Sequence, residues 1–227
     1  MGLTDRYRNV ADMPKELAVF PLRGAILLPR ASLTLNVFEP RYLALVDHVL
    51  AGDRLIGVVQ PAPEAGNGES PAGKSFPLRQ VGCAGRLFSF TENDDGRVMI
   101  ALAGVARFAI SGDVAGDMPF RLCQVDYRAY ADDFVTGHGE DDVDRPRLLA
   151  TLRNYLLAND LNADWDRIDG ASSERLVNTL SILSPYGPEE KQALLEAPDL
   201  RSRAEALVAL AEMELAARDD GSGTSLQ

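Results

Sequence analysis

The sequence predicts an α+β fold in which a β-rich half is followed by an all-helical half. Three observations lead to this. Up to about residue 130 the apolar residues form short runs or alternate with polar ones, punctuated by Gly and Pro, as in a small barrel or sandwich. Beyond residue 144 the apolar spacing switches to threes and fours, the period of helices. The charge divides in the same region: residues 1–130 hold 14 Lys/Arg and 14 Asp/Glu, whereas residues 131–227 hold 9 and 20 and so carry the whole net charge of −11.

Taken in order, residues 1–16 show no period and are expected to lie loosely against the body. Leu17 to Leu22 reads as a short strand, which Pro21 places at an edge or a bend. Leu33, Leu35 and Val37 alternate with Thr34 and Asn36, the pattern of a half-buried strand. Pro40 sits where a first-turn proline is tolerated. Tyr42, Val46 and Val49 then form one helical face, widened by Leu43 and Leu50 and stopped at Gly52. Leu55 to Val59 returns as a buried strand, and the Pro/Gly-rich stretch from Pro61 to Lys74 reads as an exposed loop. Val81 to Thr91 is a strand, Asn93-Asp94-Asp95-Gly96 a hairpin turn, and Val98 to Leu102 its partner strand. Gly104 is read as breaking that strand before Val105 to Ile110, and Phe120 to Tyr127 supplies one strand more.

The acidic stretch 131–144 is expected to be a solvated linker. A helix carrying Leu148, Leu152, Tyr155 and Leu156 follows. Ser172 or Ser173 caps a second with Leu176, Leu180 and Leu183, Pro188 opens a third, and Asp199 caps a fourth bearing Leu200, Ala204, Leu207 and Ala211. Residues 218–227 are polar, rich in Gly and Ser, and expected to be a disordered tail. The reading is thus an extension (1–16), a β-rich unit (17–130), a linker (131–144), a helical unit (145–217) and a tail (218–227).

The block FPLRGAILLPRASLTLNVFEPRYLALVDHVLAGDRLIGVV, Phe20 to Val59, resembles the opening of the Lon protease N-terminal domain. The resemblance continues through Gly82, a turn at Gly104-Val105-Ala106-Arg107-Phe108, and Glu190 to Glu196. It implies a PUA-like β-barrel with one inserted helix, followed by a C-terminal bundle of about four helices. It also implies a stand-alone version of a domain that helps the protease capture protein substrates, without its ATPase or protease domains.

Composition excludes several other classes. A hydrophobic share of 46% with 25% charged residues is that of a globular chain. No apolar run approaches the length that crosses a bilayer, and the first residues lack the apolar core of a secretory signal, so a cytoplasmic location is expected. Cys83 and Cys123 stand far apart, without a CxxC or a histidine cluster, and read as reduced, buried thiols. Neither half has the basic excess that a phosphate backbone or an anionic membrane requires.

Gly68 to Ser75 satisfies GxxxxGK[ST], the nucleotide-binding loop. A working loop is fed directly by a strand and opens a helix whose N–H groups face the phosphates. Here the strand ends near Gln60, and Pro77 and Gly82 oppose a helix after Ser75. His48 and His138 are too few and too separate for a zinc site or a triad. Lys15, Lys74 and Lys191 lack a catalytic serine context, and the Asp132–Asp144 acids lack EF-hand spacing. No catalytic residue, metal or cofactor is expected.

The expectation is a non-enzymatic module or adaptor that binds polypeptide, through apolar burial along a barrel edge or in the barrel–helix cleft and through main-chain hydrogen bonds from an unpaired strand edge. The alternatives are an RNA-binding PUA-like protein and nucleotide binding through 68–75. The candidate contacts are Phe20, Leu22, Arg23, Leu28, Phe38, Glu39, Arg41 and Tyr42. The competing reading makes the aromatic and aliphatic members core, and Arg23, Glu39 and Arg41 an ion-pair lock between helix and barrel.

Overall fold

A computed structural model describes residues 6–63, 76–94 and 96–222, and for 219–222 the backbone alone. The 68–75 loop therefore lies outside the described residues, as do Asp95 of the hairpin turn and residues 223–227 of the tail.

Six strands build one sheet: β1 (Glu16–Pro21), β2 (Ser32–Val37), β3 (Leu55–Pro61), β4 (Leu78–Glu92), β5 (Val98–Asp113) and β6 (Arg121–Asp126). Their order is β2-β5-β4-β3-β1-β6, and β6 returns to pair with β5. Five strands thus close the expected barrel, and β2 hangs on the outside of β5. Only β1 and β3 run parallel, with Val19 opposite Gly57; β2 and the helix α1 (Pro40–Leu50) form the crossover between them. The strands β1 and β3 read as continuous apolar runs because both of their faces are buried. Leu17, Val19, Leu55 and Val59 join one apolar cluster with Tyr7, Met13 and Phe108, while Ala18, Phe20, Ile56 and Val58 join another with α1 and the C-terminal helices.

Gly104 does not break the strand. β5 runs through it, with a register shift where Ala84 pairs with Ala106 and Gly85 with Gly104. A Cβ at Gly104 would stand 1.9 Å from the carbonyl oxygen of Leu28, so the strand can bulge here only where it has no side chain. The first part of β5 pairs with β2 and β4, and the last part, from Ala109, with β6.

Other segments are more ordered than the sequence suggests. Tyr7 and Met13 of the N-terminal segment are buried, and the Tyr7 hydroxyl donates to the Asp53 carbonyl at 2.6 Å. Within 131–144 the chain turns through two 3-10 segments, Arg128–Phe134 and Glu140–Asp142, and Asp133 and Val143 are buried. The stretch is therefore packed structure rather than a solvated linker.

The C-terminal helices are α2 (Arg145–Ala158), α3 (Trp165–Gly170), α4 (Ser173–Leu183), α5 (Pro188–Glu196) and α6 (Leu200–Ser222). α3 is a single short turn beyond the four expected; the Asp164 carboxylate caps it by accepting from the Arg167 N–H. α6 extends through Ser222, so its last turns occupy the start of the expected tail. α2, α4 and α5 pack on α6.

Buried polar groups tie the helices to the barrel. The Arg107 guanidinium on β5 meets the Asp133 carboxylate at 2.9 Å and donates to the carbonyls of Leu195 and Ala197 at the end of α5. Arg203 on α6 donates to Leu194 O and to Asn178 Oδ1, and Asn178 donates to Pro29 O. Gln60 of β3 donates to Pro188 O and to the Gln192 side chain. Lys191 is buried and donates to Ser181 O and Ile182 O at the end of α4. The carbonyls of Ser181, Ile182, Leu194, Leu195 and Ala197, which the ends of α4 and α5 leave open, are satisfied in this way.

Two outcomes follow. Asp133→Ala leaves the Arg107 charge buried and uncompensated, so urea unfolding should show a loss of about 3 to 5 kcal/mol. Gly104→Ala forces the Leu28 backbone away and should cost about 3 kcal/mol in the same measurement. A Gly104→Ala protein with unchanged stability would refute the close approach.

Candidate functional site

The eight sequence-derived candidates do not come together as one surface. Leu28 is fully buried, and Phe20 is buried on β1, where its ring stacks on Tyr42 of α1 at 4.1 Å and 17°. Leu22 is half-buried, with its N–H given to Val59 O. Arg23 is exposed. Glu39 and Arg41 pair with each other at 2.6 Å, both partly exposed, so they form a local pair at the head of α1 rather than a buried lock to the barrel. The Arg41 guanidinium lies 4.6 Å from the centroid of the Tyr42 ring. Phe38, in contrast, is 63% exposed, with the Arg97 guanidinium 5.9 Å from its ring centroid.

Two surface features contain some of these residues. The first is an open groove of about 760 Å³ lined by Pro21, Arg41, Tyr42 and Phe76, together with the β5–β6 connection from Asp113 to Leu122. Its floor is apolar: Tyr42 and Phe120 are buried beneath it, and Met118 is exposed at its edge. One wall is fixed by Arg121, which pairs with Asp113 at 2.6 Å and donates to Phe76 O. Hydrogen bonding from Arg121 holds the Asp113 carboxyl below its ordinary range. The Cys123 thiol donates to the same carboxylate at 3.5 Å, and burial pushes that thiol up to about 11.

The second feature is the end of the sheet formed by β2, β5 and β4. Phe38 (63% exposed), Met99 (45%), Phe88 (38%) and Phe90 (36%) all lie there. The register divides them between the two faces. Asn36 and Thr91 both face Met99, Val37 faces Val98, and Phe38 therefore comes beside Arg97 on the outer side. Phe90 pairs with Ile100 and so lies on the opposite face from Met99, and Phe88 is the extra residue of a bulge between Leu87 and Ser89. Sequence reasoning did not single out Phe88, Phe90 or Met99: the alternation sets Met99 on the side away from Val98, Ile100 and Leu102, and Phe88 and Phe90 are only members of the Val81 to Thr91 strand.

The described residues hold no acid–base or metal constellation. No group of three or more His, Cys, Asp or Glu is placed to hold a metal ion. Burial pushes the Cys83 thiol up as well, so neither cysteine carries a ready thiolate. Lys191 is pushed down to about 8 by burial, but its ammonium is fully engaged with two carbonyls and lines neither feature. No helix among the described residues is long and apolar enough to cross a membrane.

A family model described as the ATP-dependent protease La (LON) substrate-binding domain matches residues 16–212. The Lon protease of Desulfosudis oleivorans is 23% identical over 213 residues, which cover 89% of this chain and 24% of that protein. The Lon protease of Cytophaga hutchinsonii is 31% identical over 114 residues, covering 50% of this chain and 13% of that protein. The chain thus spans about a quarter or less of the length of these relatives. Among solved structures, the N-terminal domain of a Mycobacterium avium complex Lon protease superposes with a TM-score of 0.61 at 17% identity, covering 87% of this chain and 98% of that one. A Lon N-terminal domain protein from Xanthomonas campestris gives 0.57 at 23%, covering 86% and 97%.

The thiol geometry is testable directly. At pH 8 the native protein should leave both cysteines unreacted with Ellman's reagent, and denaturation should release both; prompt reaction of either in the native state would contradict their burial.

Proposed function

Because this chain belongs to the LON substrate-binding domain family, we propose that it is a non-enzymatic module that binds exposed, non-native segments of other polypeptides. The observation that carries the reading is the uncovered pair Phe38 and Met99, diagonal to each other on the outer face of the β2–β5 ladder. An isolated exposed apolar side chain needs no explanation, but two large ones side by side on one face favour apolar contact. In this reading Phe38 touches the guest directly. Arg41 and Tyr42 offer a second contact in the groove, where a guanidinium on an aromatic face suits a mixed polar and apolar chain. Phe20 and Leu28 act from beneath as support.

A guest would bury apolar area on these side chains, so the affinity is modest and the heat capacity of binding negative. RNA fits the surface less well. The net charge is −11, and Arg107 and Arg203 are spent inside the protein on carboxylate and carbonyl partners.

Isothermal titration with a permanently unfolded, carboxymethylated protein should give micromolar binding. Phe38→Ala combined with Met99→Ala should weaken it by about tenfold, the loss expected when roughly 1 to 2 kcal/mol of apolar burial is removed. A flat titration with the unaltered protein across several unfolded partners would sink the proposal.

A further inference from the structure

We propose that the open edge of β2 receives the guest as an additional β-strand, so that the module recognises backbone before sequence; this rests on the polypeptide-binding reading. Among the described residues β1, β3, β4, β5 and β6 each pair with at least two strands, and β2 pairs with β5 alone. The Gly104 N–H donates to Ala31 O, which makes that pair a bonded one and sets the phase of the ladder. Antiparallel alternation then turns the amides of Leu33, Leu35 and Val37 toward β5. The N–H and C=O groups of Ser32, Thr34 and Asn36 point away from β5, and these three residues are exposed.

Edges of this kind are ordinarily guarded by charge, proline, a bulge or a covering element. Among the described residues β2 carries none of the first three. Its sequence, Ser-Leu-Thr-Leu-Asn-Val, is uncharged, and its register with β5 has no shift. Its length of six residues gives roughly 20 Å of pairing surface.

The two ends of the edge define the guest. At the C-terminal end stand Phe38 and Met99. At the N-terminal end lies a cleft of about 200 Å³ lined by Ala31, Ser32, Ile182 and the exposed Leu183 and Arg175. The Arg175 guanidinium has no ion-pair partner among the described residues, so this end accepts a single acidic side chain or a chain-terminal carboxylate. The occupant is therefore an extended stretch of alternating β-branched or aromatic residues with at most one acidic group, at the end beside Arg175, the kind of stretch that a folded protein keeps inside and an unfolded one exposes.

Thr34→Pro tests this, because it removes an N–H that points away from β5 and places a ring on the open side, leaving the inner ladder intact. The carboxymethylated unfolded protein should bind this variant at least tenfold more weakly, with the melting temperature nearly unchanged. On the ligand side, a ten-residue peptide of alternating Val and Thr should bind, and the same peptide N-methylated on every second amide should not. Binding by Thr34→Pro equal to the unaltered protein, with loss in the Phe38→Ala/Met99→Ala variant, would overturn strand pairing and leave polypeptide binding standing. Absence of binding by the unaltered protein would overturn both. If Thr34→Pro instead converts a dimer to a monomer without changing the affinity, the edge is a contact between copies and the proposal falls. If the proline variant does not fold, the peptide pair decides: equal affinity for both peptides overturns strand pairing.

Discussion

The contact between Arg107 and Asp133 holds the two halves of the molecule in one arrangement. Both side chains are removed from water, and the guanidinium bridges the carboxylate to the carbonyls at the end of α5. A buried guanidinium is tolerable only while every direction of its fork is filled. The barrel supplies the arginine, the 3-10 segment after β6 supplies the acid, and the helices supply the carbonyls. None of the three can shift alone without stranding the charge. Arg203 ties α6 to α4 and α5, Asn178 ties α4 to the Pro29 carbonyl before β2, and Gln60 ties β3 to the start of α5.

The bulge at Gly104 fixes a second property. Because β5 bends there, its first part holds β2 and β4 and its last part reaches β6, which closes the ring. The same bend leaves β2 outside the closed barrel, as a strand with one neighbour. Closure and the placing of β2 thus meet at one bulge, where the Leu28 carbonyl approaches a residue without a side chain.

The opening block was legible in the sequence because its signals are local: alternation in β2, spacing of three and four in α1, Pro40 at the start and Gly52 at the end. The crossing of the two halves was not. Asp133 lies in an acidic run that locally looks solvated, and its partner stands 26 residues away on a strand. Gly104 announced an irregularity, and only the third dimension showed that it was a bulge. Leu28 and Phe38 belong to the same apolar block, yet one is fully buried and the other exposed, because cover comes from elements distant in sequence. The eight candidate residues were found as a motif, whereas the exposed pair Phe38 and Met99 joins the residue after β2 to a residue of β5 with which it shares no motif. Lys191 and Gln192, inside the second recognisable stretch, proved to be buried anchors.

The parallel pairing of β1 with β3 and the antiparallel pairing of Glu16 with Gln124 put the first strand between partners from the middle and the far end of the barrel. During synthesis β1 leaves the ribosome long before β6 exists to flank it, and Arg107 emerges before the carbonyls of Leu195 and Ala197 that it will cap. Assembly of such a long-range topology is paced by the last segments to appear. Until then the nascent barrel is itself a chain with uncovered strands.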